Sequence, residues 1–218
     1  MAPTAVAFDL DSTLAVTDRS RTALLAEATE TAGAPSLARE DYLDAHGRHL
    51  ASETREPIFA DLLPDDASVA AADVADAYRR AILDALEPVP GVAEMLADLR
   101  ERYRVGLLTN GPVVAQRGKL AALGWEDRFD AAVVTGELDA GKPDERAFAA
   151  LLDALDATPA ETVYVGDDPE MDVQGATDAG LSAIQVVYDG GPGPHPAADD
   201  HVRRADMPER LPDVLTGG

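Results

Sequence analysis

Residues 4–14 read "TAVAFDLDSTL", a run of small and apolar residues from Ala5 to Phe8 that leads straight into Asp9, Asp11, Ser12 and Thr13. An apolar run without polar alternation is what a strand covered on both faces requires, and such strands belong to parallel sheets flanked by helices. Side chains alternate along a strand, so Asp9 and Asp11 start out on one side. Two carboxylates held close repel unless a cation or a proton lies between them. The end of this strand is therefore a candidate site, although a D-x-D triplet in an Asp-rich chain is weak evidence by itself.

Similar apolar runs recur at 105–109 ("VGLLT"), 131–134 ("AAVV"), 162–166 ("TVYVG") and 183–187 ("AIQVV"), and from the second onward helical patterns separate them. That order predicts an α/β fold, a Rossmann-like doubly wound parallel sheet. Between the first two strands the pattern breaks. Residues from about 19 to 88 read as several helices: "SRTALLAEATETAG" with Gly33 as its stop, "AREDYLDAHGRHLAS", "TREPIFADLL" and "AADVADAYRRAILDAL". A crossover needs only a dozen or so residues, so the excess predicts an inserted helical subdomain. The boundaries read as 1–18 and 88–218 for the core and 19–87 for the insert. "EPVPG" (87–91) is its return linker, "GVAEMLADLRERY" the helix that resumes the core, and "DGGPGPHPAADD" (189–200) a surface loop before a short C-terminal segment.

The 218 residues are 46% hydrophobic, enough for a substantial core, and contain no cysteine, which excludes disulfides and thiolate chemistry. There is no apolar run long enough for a membrane span. The N-terminal stretch has neither the basic region nor the long apolar region of a secretion signal, so a cytoplasmic location is expected. Forty-one acidic residues against eighteen basic ones give a net charge of −23. Such a surface repels nucleic acid and anionic membranes. Lysine occurs only at positions 119 and 142. An acidic, lysine-poor chain with a normal core has the composition of a halophilic protein, since molar salt shortens the Debye length to roughly 3 Å.

Ligands in open α/β sheets bind beyond the carboxyl ends of the strands, and here each such end carries chemistry. The first offers Asp9, Asp11 and Thr13; the second Thr109, Asn110 and Gly111, with Pro112 suited to a helix start; the third leads to Lys142 in "GKPD"; the fourth supplies Asp167, Asp168 and Asp172, with Pro169 opening a helix. Oxygen-rich carboxylates favour Mg²⁺. A threonine hydroxyl, backbone N–H groups and an ammonium favour a phosphoryl group. An aspartate can attack phosphorus, and a second acid must then protonate the leaving alcohol and later activate water.

The four segments resemble the four motifs of the haloacid dehalogenase (HAD) superfamily: "FDLDSTL", "LLTN", "GKPD" and "VGDDPEMDVQGA". The resemblance implies a phosphatase with Asp9 as nucleophile and Asp11 as general acid/base. It implies Thr109, with Asn110 and Gly111, as the phosphate site, and Lys142 as the cation serving both nucleophile and phosphoryl group. A Mg²⁺ site would draw on Asp9, Asp11 through its backbone carbonyl, Asp167 and Asp172. The helical insert corresponds to the family's type-one cap. Ser12 stands where glycine is commonest in the motif. The substrate would be a small phosphomonoester, and the protein a monomer or homodimer. Alternatives are a 2-haloacid dehalogenase, which lacks the second acid, a phosphomutase, a signalling receiver or a silent binding protein. Within the insert His46, Arg48, His49 and Arg55 are candidate substrate readers, although the polarity of an exposed helix face accounts for most such residues. Trp125 is expected to pack under the third strand, and Asp168 to be a helix cap or a solvated acid rather than a ligand.

Overall fold

The computed structural model describes residues 2–217. The apolar run Ala5–Phe8 is β1, at the centre of a six-stranded sheet. The chain then forms β2 (Ala15–Thr17), α1 (Arg21–Ala32), α2 (Arg39–Arg48), α3 (Glu56–Leu62), α4 (Ala71–Asp84) and β3 (Leu86–Pro88). It continues through α5 (Val92–Arg100), β4 (Arg104–Thr109), α6 (Val113–Leu123), β5 (Ala131–Val134), α7 (Glu145–Leu155) and β6 (Thr162–Gly166). A π-helical turn, Pro169–Gln174, runs into the short α8 (Gly175–Asp178), followed by β7 (Ser182–Val187), β8 (Asp200–Arg203) and α9 (Met207–Thr216).

The strand order is β5-β4-β1-β6-β7-β8, all pairs parallel. The sheet thus winds outward in both directions from β1, which places the ends of β1, β4 and β6 side by side. The unalternating runs are explained by burial on two faces. Val6 and Phe8 join one core with Met95, Leu96 and Leu99 of α5 and Leu211 of α9. Ala5 and Ala7 face the other way, toward Phe148, Leu151 and Leu155 of α7. Trp125 is buried in the first of these cores, as expected.

The four helices α1–α4 share a core of their own, built on Leu24, Leu25, Ile58, Phe59, Val74 and Ile82. Tyr42 and Tyr78 meet edge-to-face at 5.2 Å, an aromatic contact worth about 1 kcal/mol beyond its buried area. Ser20 caps α1 by accepting from Ala23 N at 3.1 Å. Gly33 ends it in the left-handed conformation, φ 70°, which a side chain would resist.

Two elements differ from the sequence reading. "EPVPG" is not a plain linker: Leu86–Pro88 pairs antiparallel with Ala15–Thr17, forming a ribbon at the base of the insert. Three-residue strands carry too little periodicity to be seen. The C-terminal segment holds a sixth parallel strand, β8, in which Val202 alone is buried. An edge strand with one covered residue lacks the apolar signature of its neighbours.

Candidate active site

The carboxyl ends of β1, β4 and β6 open into a cavity of about 410 Å³ that Asp9, Thr109, Lys142, Asp167 and Asp172 line from the core side. Leu43, His46, Gly47 and Leu50 line it from α2 and the segment after it. A larger cavity of about 520 Å³, at the opposite ends of the strands, is lined by Tyr103, Val163, Val214, Asp199 and Asp200, and among the described residues no lysine, arginine or histidine lines it.

Asp9 and Asp11 do not share a counter-charge. Directly after β1 the chain turns, with Leu14 N and Ala15 N both donating to Leu10 O at 3.0 Å. Ser12 takes the left-handed conformation at φ 63° within this turn, a geometry in which glycine costs least. The turn separates the two acids. Asp9 accepts from Lys142 Nζ at 2.7 Å. Asp11 accepts from Arg21 Nη2 at 2.6 Å, from Gln116 Nε2 at 3.1 Å and from Lys119 Nζ. Lys119, Gln116 and Arg21 lie outside the four motifs. Lys119 had the same signal as Lys142, being the other of only two lysines.

Lys142 is buried and triply engaged. Besides Asp9 it donates to Asp172 Oδ1 at 2.6 Å and to the Tyr164 hydroxyl at 2.9 Å. Tyr164 in turn donates to Leu108 O at 2.9 Å. Asn110 fixes the lysine's backbone: its Nδ2 donates to Lys142 O at 2.9 Å and its Oδ1 accepts from Lys142 N at 2.8 Å. The Asn110 side chain is thus committed to positioning the lysine. Gly111 N donates to Thr135 Oγ1 at 3.0 Å, and Thr109 Oγ1 accepts from Gln116 Nε2.

Asp167 accepts from Thr13 Oγ1 at 3.2 Å and from the Tyr188 hydroxyl at 3.1 Å. Both oxygens of Asp172 are occupied, Oδ1 by Lys142 and Oδ2 by Asp168 N at 3.0 Å. Asp168 caps the π-helical turn by accepting from Glu170 N and Met171 N at 2.9 Å. Asp172 reaches the site because Gly166 has no side chain: a Cβ there would stand 2.4 Å from Asp172 Cγ.

Carboxylate oxygens of Asp9, Asp167 and Asp172 lie within 4.8 Å of one another. Three acids against one ammonium leave the cluster short of positive charge. Burial, reinforced by Asp172, pushes Asp167 up to about 7. Burial also raises Asp9; Lys142 opposes this, while Asp172 and Asp167 add to it. Burial acts to lower Lys142, yet Asp172 and Asp9 outweigh it and hold the ammonium above its ordinary value. Hard oxygen donors with unbalanced negative charge suit a divalent cation such as Mg²⁺, so these residues fit one. Asp11 behaves oppositely: burial would raise it, but Lys119 and Arg21 hold it well below the usual carboxylate range.

Of the four candidate substrate readers, His46 and Arg55 face the interior and line the cavities. Arg48 and His49 instead pair with Asp61, each at 3.0 Å. Their polarity serves the outside of the insert.

Residues 3–180 match the model of the haloacid dehalogenase-like hydrolases. A glyceraldehyde 3-phosphate phosphatase of Methanopyrus kandleri is 34% identical over 81% of this chain and 75% of its own length. A phosphoserine phosphatase of Thermus thermophilus is 36% identical over 59% of the chain, which spans about half (47%) of that relative. The crystal structure of a HAD phosphatase from Thermococcus onnurineus superposes with a TM-score of 0.72 at 26% identity, covering 98% of both chains. Among the described residues no helix is long and apolar enough to cross a membrane.

Proposed function

The chain belongs to the haloacid dehalogenase-like hydrolase family, and from that premise we propose that it is a Mg²⁺-dependent phosphatase hydrolysing a small phosphomonoester through an aspartyl-phosphate on Asp9. One observation carries this reading. The structure has two acids two residues apart with separate cationic partners, Lys142 for Asp9 and Lys119 with Arg21 for Asp11. A nucleophile and a proton carrier need such different environments.

In the first half-reaction Asp9 Oδ forms a bond to phosphorus as the ester P–O bond breaks, and the departing alkoxide takes a proton from Asp11. In the second, water attacks phosphorus, gives its proton to Asp11, and the Asp9–phosphorus bond breaks to regenerate the carboxylate. Lys119 and Arg21 favour the ionised, base form of Asp11. Loosening its contacts with Lys119 and Arg21 would let it take up the proton that the first half requires. Lys142 steadies the Asp9 carboxylate and the phosphoryl oxygens, Thr109 offers its hydroxyl to them, and Asn110 with Gly111 shapes that end of the cavity. Asp9, Asp167 and the Asp11 carbonyl would hold Mg²⁺, with Asp172 supporting the site. When bound, the ion supplies counter-charge for the phosphoryl group. Residues 19–87 act as the cap over the core formed by 1–18 and 88–218, and the position of α2 against the cavity supports this division.

The test is a panel containing phosphoserine, glyceraldehyde 3-phosphate and an activated aryl phosphate, with Mg²⁺. The acidic, lysine-poor composition supports a salt-loving source, so the panel is run at molar and at low salt. Phosphate release that Asp9→Asn lowers by at least ~10³-fold is expected, the scale of losing a catalytic nucleophile. Release from no member sinks the phosphatase reading, and chloride release from 2-chloropropionate would replace it with the dehalogenase.

A further inference from the structure

Beside the catalytic cavity, and sharing Asp11, Ser12, Leu43, His46 and Asn110 with it, lies a second cavity of about 210 Å³. Arg21, Arg39, Arg55 and Lys119 all line it, against the single carboxylate of Asp11. In a chain with 41 acids and 18 bases, four cations around one small cavity run against the composition. We propose that this cavity binds a second anionic group of the substrate, a phosphate or a carboxylate distinct from the phosphoryl group transferred. The inference rests on the phosphatase reading and narrows its substrate class to phosphoesters with an anion at both ends.

Among the described residues, two of the four cations have no acidic partner. Arg55 is buried, 8% exposed. It donates to the Tyr42 hydroxyl at 3.0 Å, a neutral group, and lies over the Tyr78 ring at 5.4 Å. Arg39 lies over the Tyr42 ring at 5.0 Å, and its Nη1 is buried without a hydrogen-bond partner. Burying guanidinium groups without an anion is costly. The aromatic faces of Tyr42 and Tyr78 hold these arginines in place, so the donors are fixed before any anion arrives. His46, beside them, is lowered to about 4 by burial and then by Arg55, Lys119 and Arg39. It is neutral at pH 7 and leaves the anion to the arginines. Guanidinium groups match both carboxylate and phosphate oxygens in bidentate geometry.

Binding of alkylphosphonates, of 1,n-alkane bisphosphonates and of n-phosphonoalkanoates of two to five carbons is measured by titration calorimetry with Mg²⁺ at fixed molar ionic strength. The expected result is at least tenfold tighter binding of a doubly anionic probe than of the alkylphosphonate of equal length. The better of the two doubly anionic series tells phosphate from carboxylate. Arg39→Gln, at a half-buried position, should reduce that ratio below threefold, and Arg55→Lys should lower it less than Arg55→Gln does. Equal affinity for all three series in the wild type overturns the inference, as does a preference that survives Arg39→Gln. Hydrolysis of the aryl phosphate, which has no second anion, reports separately on the phosphatase reading.

Discussion

Lys119 offers the sharpest test of how charge is arranged in this protein. It is 2% exposed and pairs with Asp11, so a simple reading would make it a stabilising ion pair. Its surroundings say otherwise. Burial first, and then Arg21 and Arg55, lower it from 10.5 to about 8 in spite of Asp11. A shift of that size means the fold disfavours the ammonium by about 3 kcal/mol at neutral pH. Asp11, by contrast, also accepts from Arg21 at 2.6 Å and from Gln116 at 3.1 Å, so removing Lys119 leaves it a cationic partner. Lys119→Met, which keeps the length and removes the charge, should therefore stabilise the protein at pH 7, by no more than the about 3 kcal/mol that the lowered ammonium costs. The sign fixes the pH dependence. A lysine lowered in the folded state penalises it fully below pH 8, and the penalty fades as pH rises toward 10.5. The gain of the variant over wild type should shrink across that window. Equilibrium urea unfolding at fixed salt, at pH 7 and pH 10, measures both values. A variant less stable than wild type at pH 7 would refute the reasoning, because the Asp11 pair would then outweigh burial and repulsion. The same variant should lose activity toward a phosphoester, since a cation retained against the stability of the fold belongs to the site.

Two further outcomes follow from the geometry. Gly166→Ala places a Cβ 2.4 Å from Asp172 Cγ, so Asp172 must withdraw from Lys142; a loss of about 1–3 kcal/mol in stability together with loss of phosphate release is expected, and an Ala variant of wild-type stability and rate would show that Asp172 can move freely. For Asp167, raised from 3.8 to about 7, the sign is that of a raised acid: the protein is favoured below pH 4, and up to about 4 kcal/mol is lost as pH rises through 7. A cation at the cluster offsets that loss, so Mg²⁺ should raise the melting temperature more at pH 8 than at pH 5, and equal shifts at both would separate Asp167 from the ion.

The sheet was legible because buried parallel strands must be apolar on both faces, and "AVAF" and "TVYVG" can be little else. The insert was legible from its length and from Gly33, whose capping is local. Asp9, Thr109, Lys142 and Asp167 were legible because the chemistry gathers at strand ends, and strand order brings those ends together. The short ribbon, the edge strand β8 and the cation group around Asp11 were not. Lys119 and Gln116 sit on α6 and Arg21 on α1, and no local rule brings those three to one carboxylate. Sequence alone determined which residues could act, because backbone preference and hydrophobic period are properties of neighbours in the chain. Tertiary structure decided how the two acids differ, because the turn after Leu10 aims one at Lys142 and the other at Lys119, and the charge that a carboxylate carries depends on what surrounds it in space.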